Sequence, residues 1–128
     1  MDGQSASKAR QTALDALDQI HGLVRELTNI RLGLTPGTFT RLLVRCGRKN
    51  CRCATGDKHE AHFLYVSRGG PLQRVWIPAD DRVRVKQGAS RYRQFRQSRA
   101  AIIKASKQLV AGLDQLEKAL TVPYSKPS

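Results

Sequence analysis

Three cysteines and two histidines lie close together near the centre of this 128-residue chain. Cys46, Cys51 and Cys53 fall within eight residues, and His59 and His62 follow within the next nine. Thiolate sulfur and imidazole nitrogen are the atoms that Zn²⁺ prefers, and four of them complete a tetrahedral site. The spacing therefore predicts one structural zinc ion, bound by the three cysteines and one histidine.

The fourth ligand stays open at this point, because His59 is nearer the cysteines while His62 begins a predicted strand. Two interpretations without a metal also stay open. The cysteines could simply be reduced thiols in a turn, or a redox switch could join Cys46 to Cys51 or Cys53. The basic residues between the cysteines favour thiolate over thiol, and thiolate is the form that binds a metal.

An enzymatic role is not expected. The sequence His59-Glu60-Ala61-His62 has too few residues between its histidines for the His-Glu-x-x-His arrangement of zinc proteases. We also find no glycine-rich phosphate loop and no nucleophile elbow.

The positive charge is concentrated in one part of the sequence. The chain has 23 Lys and Arg against 10 Asp and Glu, a formal net charge of +13. Residues 41–107 hold seventeen basic and four acidic residues and so carry the whole excess. Such a field favours phosphate, which predicts binding to nucleic acid. The charge does not distinguish DNA from RNA, and DNA is taken as the favoured partner. The expected contact residues are Arg48, Lys49, Arg52, Lys58, Arg91, Arg93, Arg96 and Arg99.

The elements that must hold these residues follow from hydrophobic periodicity. Seven-residue spacing of apolar side chains predicts an N-terminal helix within residues 1–33, and runs of β-branched and aromatic residues predict strands within 37–78. A basic helix over 79–121 then completes one domain, residues 1–122. The tail, 123–128, is predicted to be disordered.

The predicted fold class is α+β, a small three-stranded antiparallel sheet with a zinc knuckle, flanked by two helices packed as a hairpin or coiled coil. A break in the second helix is expected near Gly88. Self-association is an alternative, because the same spacing suits a coiled-coil dimer. The helices are expected to pack through Ile20, Leu23, Leu27, Leu109, Leu113 and Leu116.

The central segment combines Gly37-Thr38-Phe39 with the pattern C-G-x-x-x-C-x-C-A-x-G-x-x-H, which runs from Cys46 to His59. Over roughly residues 37–100, the chain resembles a family of small basic bacterial proteins of undefined activity, often found near transposases and other mobile elements. The resemblance implies a metal-binding knuckle with His59 as the fourth ligand. Where the family tends to have Gly-Pro-Tyr, this chain has Glu60-Ala61-His62.

These features lead to the hypothesis of a zinc-stabilised, nucleic-acid-binding accessory or regulatory protein of a DNA transaction, in a mobile-element setting. The alternative is an adaptor whose helices bind a recombinase-like or other DNA-processing protein. A homo-oligomer is compatible with both. The sequence shows neither a secretory signal nor an apolar stretch of membrane-spanning length, so a cytoplasmic protein without membrane contact is expected.

Overall fold

The computed structural model describes residues 3–127 and has the predicted α+β class, with two helices and a three-stranded antiparallel sheet. The first two residues of the predicted N-terminal helix and the last residue of the predicted tail lie outside the described residues. The elements are α1 (Gly3–Thr28), β1 (Thr38–Val44), β2 (His59–Val66), β3 (Gln73–Trp76) and α2 (Arg82–Leu120), with 3-10 turns at Arg52–Ala54 and Ala79–Asp81.

The described residues form two compact units. One unit, here called the sheet unit, runs from Leu32 to Gln94 and contains the three strands and the beginning of α2. The other, here called the helical unit, consists of α1 and of α2 from Phe95 onward. Neither α1 nor α2 carries, within residues 3–127, an apolar stretch of the length that a bilayer span requires.

The sheet has the order β1-β2-β3, and both neighbouring pairs are antiparallel. Val44 at the end of β1 pairs with His59 at the start of β2. Residues 59–61 also pair with the end of β1, so β2 begins at His59. This is three residues before His62, where the predicted strand begins. The segment between these paired ends contains all three cysteines.

One face of the sheet packs against the beginning of α2. The cluster consists of Phe39, Leu64, Ile77, Val85 and Ala89. Burying side chains of this kind is worth about 1.5–3 kcal/mol for each large apolar residue, which fixes the strands on the helix.

The predicted break of α2 near Gly88 is wrong, since the helix is continuous from Arg82 to Leu120. The N–H of Thr35 donates a hydrogen bond to the Gly88 carbonyl at 3.0 Å. A Cβ atom at position 88 would collide with the Thr35 Oγ1. Glycine is therefore present because another segment crosses the helix closely, and the helix itself is not interrupted.

In the helical unit, α1 and α2 pack as the predicted hairpin, and small residues line the contact. Ala6, Ala9, Ala13 and Ala16 of α1 are all at most 7% exposed. A Cβ atom on Gly112 of α2 would lie 3.0 Å from the Ala13 nitrogen and 3.3 Å from the Ala9 carbonyl oxygen. The two backbones therefore approach each other closely, which only glycine and alanine permit.

One of the residues predicted in the helix contact lies outside it. Leu113, which the sequence predicts in the contact, is 48% exposed, while its neighbour Gly112 is buried. One residue along a helix turns the side chain by about 100°, so the two positions face different directions. The other five predicted positions, Ile20, Leu23, Leu27, Leu109 and Leu116, are half-buried.

Candidate metal centre

The four predicted metal ligands come together at one end of the sheet. Cys46 follows β1 by two residues, and His59 is the first residue of β2. The antiparallel pairing of Val44 with His59 closes the loop between them. Within that loop, the 3-10 turn Arg52–Ala54 reverses the chain around Cys53, which is only 1% exposed.

The ligand atoms lie close enough to surround one ion. The Sγ atoms of Cys46, Cys51 and Cys53 and a ring nitrogen of His59 are all within 4.8 Å of one another. The Cys46 and Cys53 sulfurs are 3.4 Å apart, and the Cys51 sulfur is 2.7 Å from the His59 Nε2. Ligands of a tetrahedral zinc ion, at about 2.3 Å for sulfur and 2.0 Å for nitrogen, are separated by roughly 3.5–3.8 Å. Only small side-chain adjustments would be needed to bring these four atoms to the separations of a tetrahedral zinc site.

Hydrogen bonds from the backbone and from Arg45 hold this loop in its conformation. The N–H of Cys46 donates to the Cys53 sulfur at 3.3 Å, and the Arg45 guanidinium donates to the Cys53 carbonyl. The N–H of Gly56 donates to the Arg52 carbonyl at 2.7 Å. The two bonds to carbonyl groups hold the loop backbone, and the Cys46 N–H, which donates to the Cys53 sulfur, favours the thiolate form of that cysteine.

Cys51 and Cys53 differ in their affinity for a proton. A hydrogen bond from the backbone of Cys53, together with the bond to His59, lowers the pKa of Cys51 from 9.0 to about 6. Cys51 is therefore largely a thiolate at neutral pH, which is the form that binds a metal. For Cys53, the Cys46 N–H lowers the pKa, but burial and the neighbouring Cys46 and Cys51 thiols outweigh it and raise the pKa above its ordinary value.

His62, the alternative fourth ligand, lies away from this cluster. His59 and His62 are three residues apart on β2, so the alternation of a strand directs them to opposite faces of the sheet. The His62 ring stacks on Phe39 with 5.5 Å between ring centroids, and its Nε2 is 3.8 Å from the Glu60 Oε1. Its Nδ1 is buried without a hydrogen-bond partner among the described residues. The cluster therefore contains His59 and not His62.

The predicted nucleic-acid contacts divide between the two units. Arg48, Lys49, Arg52 and Lys58 all lie exposed on the cysteine loop of the sheet unit. Also in this unit, Arg93 is exposed, whereas Arg91 donates its Nε–H to the Gly33 carbonyl at 2.9 Å and thereby supports the fold. Arg96 and Arg99 are exposed in the helical unit.

The sequence interpretation did not single out an aromatic and basic patch on the sheet. The guanidinium of Arg74 lies over the Phe63 ring, 4.5 Å from its centroid, and Phe63 pairs with Trp76. Trp76 is 58% exposed. His59 and Phe63 lie on the same face of β2, so this patch and the His59 ligand are on one face of the sheet. The alternation in Gln73-Arg74-Val75-Trp76 was the available signal.

The cysteine loop therefore has the donor set and the spacing of a closed structural metal site, set among exposed cations. No protein-family model, curated protein or solved structure matches the chain.

Proposed function

We propose that the protein binds one zinc ion through Cys46, Cys51, Cys53 and His59 and uses the loop folded around it to bind nucleic acid. The observation that carries the proposal is the convergence of four soft ligand atoms within 4.8 Å on a loop whose other side chains include four exposed cations. DNA is the favoured ligand.

The donor set favours zinc in a structural role. Three sulfurs and one imidazole nitrogen supply the four donors that a tetrahedral zinc shell needs, and the set includes no carboxylate. A catalytic zinc site would need an open position for water and a nearby general base. Here the ion would cross-link the two ends of the loop, since Cys46 and His59 adjoin different strands.

The charges on the loop support a phosphate ligand. Among the described residues, none of the four loop cations forms an ion pair, so each is available to an external anion. A loop cross-linked by metal would hold these side chains on a fixed backbone, which lowers the conformational entropy that binding costs. Phosphate contacts of this type bind nucleic acid without reading its sequence. The four cations are Arg48, Lys49, Arg52 and Lys58.

The aromatic patch supports an additional contact with unpaired bases. Trp76 exposes more than half of its surface, and Arg74 and Phe63 lie beside it. Stacking of a base on an aromatic side chain is worth roughly 1–3 kcal/mol and does not depend on the base. A single strand would thus gain affinity from Trp76 that a closed duplex would not.

The test is fluorescence anisotropy with labelled duplex DNA, single-stranded DNA and RNA across a salt series. The zinc-loaded wild type is compared with the double variant Arg48→Glu/Lys49→Glu. A matched control, Lys8→Glu/Lys118→Glu, changes the net charge equally at exposed positions of the helical unit. Each lost phosphate contact should flatten the log–log salt slope by about 0.9 on duplex DNA and about 0.7 on a single strand.

We expect the loop variant to bind every sequence more weakly, with a flatter slope, while the control changes less. Trp76→Ala should weaken single-strand binding at least fivefold and leave duplex binding unchanged. Equal losses in the loop variant and the control would contradict binding at the loop. Absence of binding by the wild type at low salt would contradict the nucleic-acid function and favour an adaptor that acts through a protein partner.

A further inference from the structure

The helical unit exposes a second row of large apolar side chains on each helix, separate from the contact between α1 and α2. All seven residues are between 36% and 55% exposed. Their spacing of three or seven residues keeps each row on one side of its helix. The rows are Leu14, Leu17 and Val24 on α1, and Ile103, Val110, Leu113 and Leu120 on α2.

Both rows lie on the same face of the hairpin. In α1, the buried positions Ala6, Ala9, Ala13 and Ala16 recur as the a and d positions of a heptad, which makes Leu14 a b position and Leu17 and Val24 e positions. On α2, the buried residues Ser98, Ala105 and Gly112 recur every seven residues and are the d positions of the α2 heptad. In that register Ile103 and Val110 are b positions, and Leu113 and Leu120 are e positions. Antiparallel helices bring their e positions to the same side of the contact, so the two rows form one surface, here called the b/e face.

The size of the b/e face suits a stable association. Seven side chains at this exposure present on the order of 500 Å² of apolar surface, close to the apolar share of the roughly 800 Å² that each partner buries in a standard interface. On α2 the face includes an open groove of about 480 Å³. The groove is lined by Ile103, Ser106, Lys107, Val110, Ala111 and Asp114.

The charges at the edge of this groove fit a second copy of the same chain. Lys107 and Asp114 lie at equal distances in sequence on either side of the Val110–Ala111 pair. If two α2 helices cross antiparallel with that pair at the centre, Lys107 of each copy meets Asp114 of the other. A two-fold interface requires this kind of self-complementarity, because each contact occurs twice.

We propose that the b/e face is a homodimer interface, in which two hairpins form a four-helix bundle with antiparallel α2 helices crossing at the Val110–Ala111 pair. Apolar rows cover each other, and two Lys107–Asp114 pairs fix the register. This proposal does not depend on zinc or on nucleic acid, and it concerns a surface separate from the cysteine loop.

The test is sedimentation velocity on zinc-loaded protein freed of nucleic acid, over a range of protein concentrations. We expect a dimer for the wild type and a monomer for Val110→Asp, with unchanged helical circular dichroism because Val110 is 55% exposed. Val83→Asp is the matched control, since Val83 lies on α2 in the sheet unit and is 67% exposed. It should remain dimeric.

The Lys107–Asp114 pair gives a second, independent test of the dimer interface. Lys107→Asp alone should weaken the dimer by several-fold, and Lys107→Asp/Asp114→Lys should restore it. A wild type that stays monomeric at all concentrations would overturn the proposal and leave the face to a different protein. A Val110→Asp variant that still dimerises, or a charge exchange that does not restore the dimer, would overturn this interface.

Discussion

The cysteine loop and the helical hairpin are ordered by different means. In the loop, residues 45–58, the buried side chain is Cys53, and order depends on a few directed contacts between sulfur, imidazole and backbone groups. In the hairpin, the buried residues are mostly alanine, and order depends on how closely two backbones approach at Gly112. Directed contacts therefore order the loop, and close packing of the two helix backbones orders the hairpin.

This difference determines which changes each region tolerates. In the proposed zinc site, removing one ligand should destabilise the loop even when the replacement has the same size, because a tetrahedral site needs all four donors. In the hairpin, the chemical nature of a side chain matters less than its volume. The following predictions test this distinction.

The largest expected effect is that of metal removal on the loop. Chelation, or Cys51→Ser, should release the ion and abolish amide protection in residues 45–58, because metal binding in such sites supplies the folding free energy of the segment. Protection of the α1 amides should persist. Hydrogen exchange followed by mass spectrometry would show both, and simultaneous loss of protection in α1 would argue against separate sources of order.

A smaller effect is expected from Gly112→Leu in the hairpin. The new side chain would press on the backbone of Ala9 and Ala13, which cannot move without separating the helices. We expect a loss of about 2–3 kcal/mol in the free energy of unfolding, with zinc content unchanged. Gly22→Leu is the control, because nothing lies within 4 Å of a Cβ at that α1 position. Urea denaturation that finds both variants equally stable would contradict the close-packed contact.

The smallest effect is expected from Gly88→Ala in the sheet unit. The alanine methyl group would meet the Oγ1 and Cβ atoms of Thr35, whose N–H donates a hydrogen bond to the Gly88 carbonyl. Alanine favours a helix by about 1 kcal/mol over glycine, which offsets part of the strain and leaves a net loss of about 1 kcal/mol. A melting temperature above that of the wild type would show that the Thr35 contact carries little strain.

The same difference explains how much the sequence predicted. The cluster of three cysteines and a histidine was predictable because ligand type and local spacing suffice to identify it, although choosing His59 over His62 from geometry required the register of β1 on β2. The strands followed from runs of β-branched and aromatic residues, and both helices followed from the periodicity of apolar residues. The burial of Gly112 in place of Leu113 could not be predicted, because the two residues are adjacent in sequence and only the distance between the helix backbones decides which of them is buried. Gly88 was misread for the same reason.

The central claim is that three cysteines and His59 bind one zinc ion, and it is tested most directly by metal analysis of purified protein. Inductively coupled plasma mass spectrometry should find about one zinc per chain in the wild type, as expected for a closed four-ligand site. His62→Ala should keep this content, whereas His59→Ala should bind zinc far more weakly and lose it to a mild chelator. Zinc-free wild type that is equally stable with and without added zinc, or loss of zinc in His62→Ala alone, would contradict the account.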